Sequence, residues 1–237
     1  MSTAAPAGEL ASPPARGPGW KASGLRGLLK TLFGPAKRKC QSEVFWINRL
    51  TIFATAPGQN FGAGEKSEVT FRFAEADEIE GLSFREHGYD MAGRLRAQSR
   101  MNAGDKLVLG TDAGTAVFCS RLMFGQLDLN TDNLIPISPD RVYSNKAFTS
   151  PKFRGRGIFR AYHRFVAEWL ASQGYRELLC SVRVGNAASF NAHTQMGCAA
   201  LGSYFEIRLG KSLRYFVPRG LKNRLASAVI PRQVRMR

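Results

Sequence analysis

Apolar residues recur along the chain with two different spacings, which predict a fold that mixes strands and helices. Apolar runs rich in β-branched and aromatic residues predict strands at residues 44–53, 69–73, 106–110, 115–124, 142–149, 178–182, 200–209 and 212–217. Residues 159–173 instead carry a helical apolar stripe that ends at Gly174. A further helix is expected over residues 90–101. Strands and helices in this arrangement indicate an α/β or α+β domain.

The same pattern divides the chain into four parts. Residues 1–40 form an extension, and its first 19 residues are so rich in Ala, Pro, Gly and Ser that we expect them to be disordered. Residues 41–66 are expected to be a strand or packing segment followed by a linker. Residues 67–217 are expected to form the single folded domain, and residues 218–237 a basic C-terminal tail.

The formal net charge of +16 lies mainly in the two ends of the chain. Residues 1–40 contain seven Lys/Arg and one Glu, and residues 218–237 contain six Lys/Arg and no acid. These ends would be the first to meet anionic lipid, nucleic acid or an acidic protein. We interpret residues 20–39 either as a basic amphipathic helix on an anionic membrane or as a helix that packs on its own domain. No nucleic-acid-binding motif accompanies the charge, so no specific nucleic-acid partner is expected.

Cysteine and histidine are scarce and show no metal-site spacing. The four cysteines include no Cys-x-x-Cys pair, and there are three histidines. We therefore expect neither a disulfide framework nor a metal site, and we interpret the thiols as those of a reduced cytoplasmic protein. No apolar run approaches the ~20 residues that span a bilayer. The expected location is the cytoplasm, with peripheral contact at the inner face of the membrane if residues 20–39 bind lipid.

A basic, glycine-rich turn joins the strand at 142–149 to the helix at 159–173. Gly155 and Gly157 have no Cβ, so the backbone can curl and bring consecutive N–H groups close to a ligand. Those N–H groups are also the unpaired donors of the helix that follows, and Arg154 and Arg156 add positive charge. The turn predicts an anion site that would suit a diphosphate; the alternative is a tight connection with no ligand.

Two blocks of the sequence resemble the signatures of the GNAT acyltransferase superfamily. The segment from Arg154 to Phe159 is similar to the pyrophosphate loop Gln/Arg-x-x-Gly-x-Gly/Ala, with Phe159 in place of the last small residue. Residues 186–197 resemble the later block Asn-x-x-Ser/Ala, then Tyr or His, then Gly. Cys198 stands where relatives usually have an aromatic residue. A P-loop and the dinucleotide fingerprint are both missing from the sequence.

This resemblance implies the GNAT fold, a mixed but mostly antiparallel central sheet of about seven strands flanked by helices. It also implies acetyl-CoA or another acyl-CoA as co-substrate, with no metal. The implied cofactor-binding residues are Phe148, Thr149, Arg154, Gly155, Arg156, Gly157, Ile158 and Asn186. His193 falls where many relatives have a tyrosine that acts as an acid toward the departing thiolate; the alternative is a structural histidine.

The reaction that the resemblance implies is direct attack of a primary amine, from an amino sugar or a small amine, on the thioester. The strand at 142–149 contains no Asp or Glu, so the base is left open among a water relay, Tyr143 and a carboxylate such as Glu206. In such a protein the helix at 90–101 would line one side of the acceptor pocket. The alternative is that its arginines simply face solvent. The long basic extension resembles unclassified bacterial GNAT proteins of surface-polysaccharide gene sets. The competing interpretation is a catalytically silent GNAT-fold module that binds CoA or a protein and docks through its basic tails.

Overall fold

The structure, a computed structural model, describes residues 45–59, 61, 67–75, 78, 91–130 and 133–227, with only the backbone of residues 91–96 and 130. Our interpretations of residues 1–40 and of the end of the basic tail, 228–237, lie outside the described residues. No helix in the described ranges is long and apolar enough to cross a membrane.

Ten strands and four α-helices make up the described part of the chain. The strands are β1 (Phe45–Thr55), β2 (Thr70–Phe73), β3 (Lys106–Asp112), β4 (Thr115–Phe124), β5 (Gln126–Asn130), β6 (Asn133–Pro136), β7 (Arg141–Thr149), β8 (Glu177–Arg183), β9 (Ala199–Leu209) and β10 (Ser212–Phe216). The helices are α1 (Met91–Asn102), α2 (Ile158–Gln173), α3 (Ala187–Gln195) and α4 (Arg219–Ala226).

Eight of these strands form one sheet in the order β10-β9-β1-β8-β7-β4-β3-β2, while β5 and β6 form a separate hairpin. Every neighbouring pair in the large sheet is antiparallel except β7 and β8, which are parallel. The predicted fold class, a mixed but mostly antiparallel sheet with flanking helices, is confirmed. The sheet has eight strands where the sequence analysis expected about seven.

The folded domain extends beyond both predicted boundaries, residues 67 and 217. Strand β1 pairs with β8 on one side and with β9 on the other, so it lies inside the sheet and is no separate packing segment. At the other end, α4 buries Leu221 and Leu225 against the domain. Arg141 fixes that helix, because its Nη1 donates hydrogen bonds to the carbonyl oxygens of Arg224 and Leu225. The first turns of the predicted basic tail are therefore part of the core.

Two apolar layers cover the two faces of the sheet. On one face α2 buries the stripe that includes Tyr162, Val166 and Leu170. Gly174 ends this helix with a left-handed φ of 74°, as its position after the stripe predicts. On the other face, α4 and the β5–β6 hairpin pack on a cluster that includes Leu127, Ile135 and Leu221. A single sheet covered on both faces explains why most central strands are apolar throughout.

The parallel pair β7 and β8 stays together for only half of its length. Their register runs from Arg141 opposite Glu177 to Ser144 opposite Cys180, and no pairing follows. On its other side, β7 places two residues, Lys146 and Ala147, opposite one residue of β4. This is a β-bulge, and Lys146 adopts a left-handed φ of 54° within it. The end of β7 is thereby turned away from β8, and a gap opens in the middle of the sheet.

Candidate cofactor and acceptor site

The turn after β7 has the backbone geometry of an anion site. A 3-10 turn, Pro151–Phe153, follows β7, and the chain then passes through Gly155 (φ 78°) and Gly157 (φ 66°). Both angles lie in the left-handed region that residues with a Cβ disfavour. Gly157 is the N-cap of α2, and no side chain caps this end of the helix. The first N–H groups of α2 therefore remain available to a ligand.

The two arginines of the turn are exposed and lie against aromatic rings. The Nε of Arg154 donates a hydrogen bond to the carbonyl oxygen of Thr149 at 3.2 Å, and its guanidinium lies 5.8 Å from the centroid of the Phe148 ring. Arg156 lies 4.9 Å from the ring centroid of Phe153. These contacts hold the positive charges beside the turn, where they favour an anionic ligand.

An open cleft of about 770 Å³ runs along this turn. Its lining includes seven of the eight residues that the sequence analysis expects to bind the cofactor: Phe148, Thr149, Arg154, Gly155, Gly157, Ile158 and Asn186. Arg156, the eighth, is exposed and is not part of this lining. A cleft of this volume is in the range that small-molecule ligands occupy.

Asn186 connects the cleft to helix α3. It is the N-cap of that helix, and its Oδ1 accepts a hydrogen bond from the backbone N–H of Ser189 at 3.2 Å. The cap fixes the side chain at the point where the gap between β7 and β8 opens. Asn186 therefore has a structural role in addition to its place in the cleft lining.

A second cavity of about 410 Å³ occupies the gap between β7 and β8. It shares four lining residues with the cleft, namely Ala147, Phe159, Asn186 and Ser189. Phe159, which replaces a small residue of the signature, turns its ring toward His163 and His193, at centroid distances of 4.6 and 5.2 Å. Its ring thus stands where the two cavities meet.

Two carboxylates line this second cavity. Glu206 on β9 is only 5% exposed and accepts hydrogen bonds from Asn48 Nδ2 (3.3 Å) and Arg183 Nη2 (3.0 Å). Asp128 on β5 accepts with its Oδ2 from Arg121 Nη2 (3.2 Å) and Asn145 Nδ2 (3.1 Å). Its Oδ1 is buried and has no hydrogen-bond partner among the described residues. The cavity therefore offers two anionic acceptors, one of them with an unused oxygen.

The two tyrosines in this cavity are phenols at neutral pH. Burial raises the pKa of Tyr143 well above its ordinary value and the pKa of Tyr204 to about 12. A phenol held this far from ionisation is a poor proton acceptor near pH 7. Of the three bases considered in the sequence analysis, Tyr143 is therefore disfavoured, whereas Glu206 lines the cavity.

His193 is buried at the edge of the same cavity. Its Nδ1 lies 2.7 Å from the carbonyl oxygen of Ser189, so Nδ1 carries the proton and donates it. Burial lowers the pKa of the ring, which favours the neutral form with a bare Nε2. A neutral ring in this tautomer accepts a proton at Nε2 and cannot donate one there. This geometry disfavours the expected role as an acid toward the thiolate.

The segment that contains the turn also matches a known protein family. A family model described as Acetyltransferase (GNAT) family matches residues 121–198, which include β7, the turn, α2 and α3. Over these residues the chain is similar to the GNAT acetyltransferase family. No curated protein matches its sequence.

Solved structures resemble the GNAT fold of this chain at low sequence identity. One is a functionally unknown conserved protein from Staphylococcus epidermidis, 10% identical, with 74% of this chain and 66% of that chain covered and a TM-score of 0.51. Another is an acetyltransferase of the GNAT family from Colwellia psychrerythraea, 13% identical, with 73% and 61% covered and a TM-score of 0.51. The chain thus spans just under two thirds of each of these proteins, and the likeness concerns the fold.

Residues of the GNAT-like signature line the cleft, but the signature gives no sign of Asp128. This residue lies on β5, outside the two signature blocks, and only the packing of the β5–β6 hairpin beside β7 brings it to the cavity. Glu206 is one of the candidate bases in the sequence, but its neighbouring residues do not indicate that it faces the gap. A carboxylate near the middle of a mostly apolar strand is the one local signal that singles it out.

Proposed function

We propose that this chain is an acyl-CoA-dependent N-acyltransferase that transfers acetyl from acetyl-CoA to a primary amine by direct attack. The observation that carries the proposal is the meeting of the two cavities at Ala147, Phe159, Asn186 and Ser189. One cavity ends in an uncapped helix N-terminus that suits a pyrophosphate, and the other contains carboxylates that suit an amine. Reactants held on the two sides would meet in the gap, and such positioning supplies a large part of the rate in transfer reactions.

On the cofactor side, the N–H groups at the start of α2 and the side chain of Arg154 would hold the pyrophosphate of acetyl-CoA. The pantetheine arm would follow the end of β7 near Phe148 and Thr149, along the side from which β8 has separated. Asn186 and Ser189 would lie beside the thioester. The absence of a large side chain at Gly155 and Gly157 lets the phosphates approach the backbone.

On the acceptor side, the carboxylates would attract the amine and take up its proton. A primary amine reaches the site as an ammonium ion, so it must lose one proton before it attacks and another as the amide forms. Asp128 Oδ1 would accept the first hydrogen bond from the ammonium ion and then its first proton, because no other described group uses this oxygen. Glu206 would accept the second proton, directly or through water. The thiolate of CoA would then take a proton from solvent, since His193 is neutral.

The size and charge of the acceptor cavity favour a small amine or an amino sugar. Its volume of about 410 Å³ admits one or two rings, and Arg183 and Lys146 lie in the lining beside the two acids. A mixed lining of this kind favours an acceptor that carries hydroxyl groups next to its amine, because each hydroxyl can both donate and accept.

The experiment is a thiol-release assay with acetyl-CoA and longer acyl-CoAs against a panel of small amines and amino sugars. Glu206→Gln and Asp128→Asn should lower kcat by about 10²- to 10⁴-fold, the range that general acid–base catalysis contributes. Acetyl-CoA affinity, measured by calorimetry, should stay unchanged in both. Glu168→Gln, a substitution of an exposed carboxylate on α2, is the matched control and should retain full activity. Wild-type turnover in both variants would refute the role of the carboxylates.

A silent CoA-binding module is the second candidate, and two observations favour it. Strand β7 contains no acid, and His193 presents no proton at Nε2. CoA binding without thiol release across the whole amine panel would support this candidate. In that case the basic ends of the chain would be the candidate docking segments, and residues 20–39 would be the candidate membrane contact.

A further inference from the structure

Three potential metal ligands from three separate elements meet beneath the acceptor cavity. They are His163 on α2, Cys180 on β8 and His193 on α3, and all three are buried. One ligand atom from each lies within 4.8 Å of the others. The sequence predicts no metal site, because these residues are 13 to 30 positions apart and show none of the usual spacings.

The hydrogen bonds of the two histidines leave the same ring nitrogen of each unused. His193 donates through Nδ1 to the carbonyl oxygen of Ser189, and the Nδ1 of His163 lies 3.4 Å from Thr55 Oγ1. Both Nε2 atoms are buried and have no hydrogen-bond partner among the described residues. A buried polar atom without a partner destabilises the folded state, so two in one cluster require an explanation.

We propose that His163, Cys180 and His193 bind a divalent transition-metal ion, with Zn²⁺ as the ion that the donors fit best. Two imidazole nitrogens and one thiolate are a donor set of the kind that zinc prefers in proteins. The backbone bond of the His193 Nδ1 is the outer contact that orients a metal-ligating histidine through its other nitrogen. A bound ion would satisfy both unpartnered Nε2 atoms at once.

Binding would require a small contraction and the release of one proton. Ligand atoms around tetrahedral zinc lie about 3.3–3.6 Å apart, given metal–nitrogen and metal–sulfur distances near 2.0–2.3 Å, so atoms up to 4.8 Å apart must approach each other by up to about 1.5 Å. Burial raises the pKa of the Cys180 thiol, so the thiol is protonated before the metal arrives. Its proton must pass to solvent as the sulfur–metal bond forms. The bound ion then carries two neutral imidazoles and one thiolate.

The fourth coordination position would face the acceptor cavity. Cys180 and His193 line that cavity, whereas His163 lies behind them in the core. Three protein ligands with a fourth position open to a cavity is the arrangement of zinc sites that bind water or a substrate atom. The proposal does not depend on acyl transfer, because the site is assembled from core residues whether or not the chain is an enzyme.

The test is titration of the full-length, untagged and chelator-treated protein with Co²⁺ as a spectroscopic substitute for zinc. We expect one equivalent of Co²⁺ per chain, a thiolate-to-cobalt absorption band in the near ultraviolet and release of one proton per metal in weak buffer. Zn²⁺ added afterwards should abolish the band. Wild-type protein that binds no Co²⁺ or Zn²⁺, or that binds Co²⁺ without a thiolate band, overturns the proposal and leaves a buried water as the partner of the two Nε2 atoms.

Variants assign the ligands. Cys180→Ser should abolish the band, and His193→Gln should weaken Co²⁺ binding by at least tenfold. Cys119→Ser is the matched control, because Cys119 is also a buried free thiol but packs in a different cluster, with Leu107 and Leu109. The thiolate-to-cobalt band should persist in this variant. Far-ultraviolet circular dichroism and thermal unfolding report whether each variant is folded. A band that persists in folded Cys180→Ser, or that disappears equally in folded Cys119→Ser, contradicts the assignment. If Cys180→Ser does not fold, the presence of a thiolate-to-cobalt band and the release of one proton per metal in the wild-type protein decide whether a cysteine binds the metal.

Discussion

Replacing Gly157 by alanine tests whether the turn before α2 is shaped for the cofactor. Gly157 caps the N-terminus of α2 with φ 66° and ψ 3°, and it lines the cofactor cleft. Gly174 caps the other end of the same helix with φ 74° and ψ 16°, and an added Cβ there would meet nothing within 4 Å. The two positions have nearly the same backbone, and about 25 Å of helix separates them. Gly174→Ala is therefore a control for backbone strain alone.

The expected magnitudes follow from the cost of the left-handed conformation. A residue with a Cβ pays about 1–2 kcal/mol at such a φ, so Gly174→Ala, at a helix end outside the cleft lining, should lose about that much stability. For a domain of this size each kcal/mol lowers Tm by about 2–4 °C. If the turn of Gly157→Ala relaxes in the free protein, the cofactor must restore the strained form on binding. The same 1–2 kcal/mol then weakens CoA binding by about 5- to 30-fold.

The measurements are calorimetric titration with CoA and thermal unfolding of wild type and both variants. We expect a loss of Tm with wild-type CoA affinity in Gly174→Ala, and weaker CoA binding with a smaller loss of Tm in Gly157→Ala. A folded Gly157→Ala protein with wild-type CoA affinity would refute the assignment of the turn. An equal loss of affinity in Gly174→Ala would show that general destabilisation, and not the geometry of the turn, controls binding.

Three further predictions concern the core and the basic extension. Burial raises the pKa of the Cys119 thiol from 9.0 to about 12. The neutral thiol therefore contributes its full stabilisation below pH 9. Between pH 9 and 12 that contribution to the free energy of unfolding falls by about 1.4 kcal/mol per pH unit. Urea unfolding at a series of pH values from 8 to 10.5 gives the slope of the free energy of unfolding against pH. Above pH 9 this slope should be shallower in Cys119→Ala than in wild type, by the amount that one proton contributes. Arg141→Met should lower the free energy of unfolding by about 3–5 kcal/mol, because it removes one partner of the buried Arg141–Glu177 pair (2.9 Å) and the hydrogen bonds that anchor α4. Arg176→Met removes two more exposed pairs, with Asp140 and with Glu177, and should lower it by no more than about 2 kcal/mol. Equal costs by denaturant unfolding would contradict this account. Full-length protein should sediment with anionic vesicles at low salt and lose that attraction when residues 1–40 are deleted; failure to bind at any salt would end the membrane interpretation.

The sequence by itself determined the features that depend on neighbouring residues. The apolar stripe of α2, the two glycines before it and Gly174 after it are local signals, and each lies in the structure where the pattern predicted it. The fold class followed because a glycine turn between an apolar strand and an amphipathic helix, together with a second block near Asn186, resembles one superfamily. These signals need no knowledge of distant contacts, since backbone conformation and helix periodicity are set within a few residues.

The tertiary structure decided everything that depends on which distant segments become neighbours. The apolar pattern of β1 does not distinguish a strand at the edge of a sheet from one in the middle. Its long-range pairing with β8 and β9 is what places it inside the domain. The carboxylates of Asp128 and Glu206 are 78 positions apart and meet only because β7 and β8 separate. His163, Cys180 and His193 come together only when α2 and α3 pack near β8. The sequence determines which side chains are present. Only the packing of segments across the whole sheet determines which of them lie close enough to form a site.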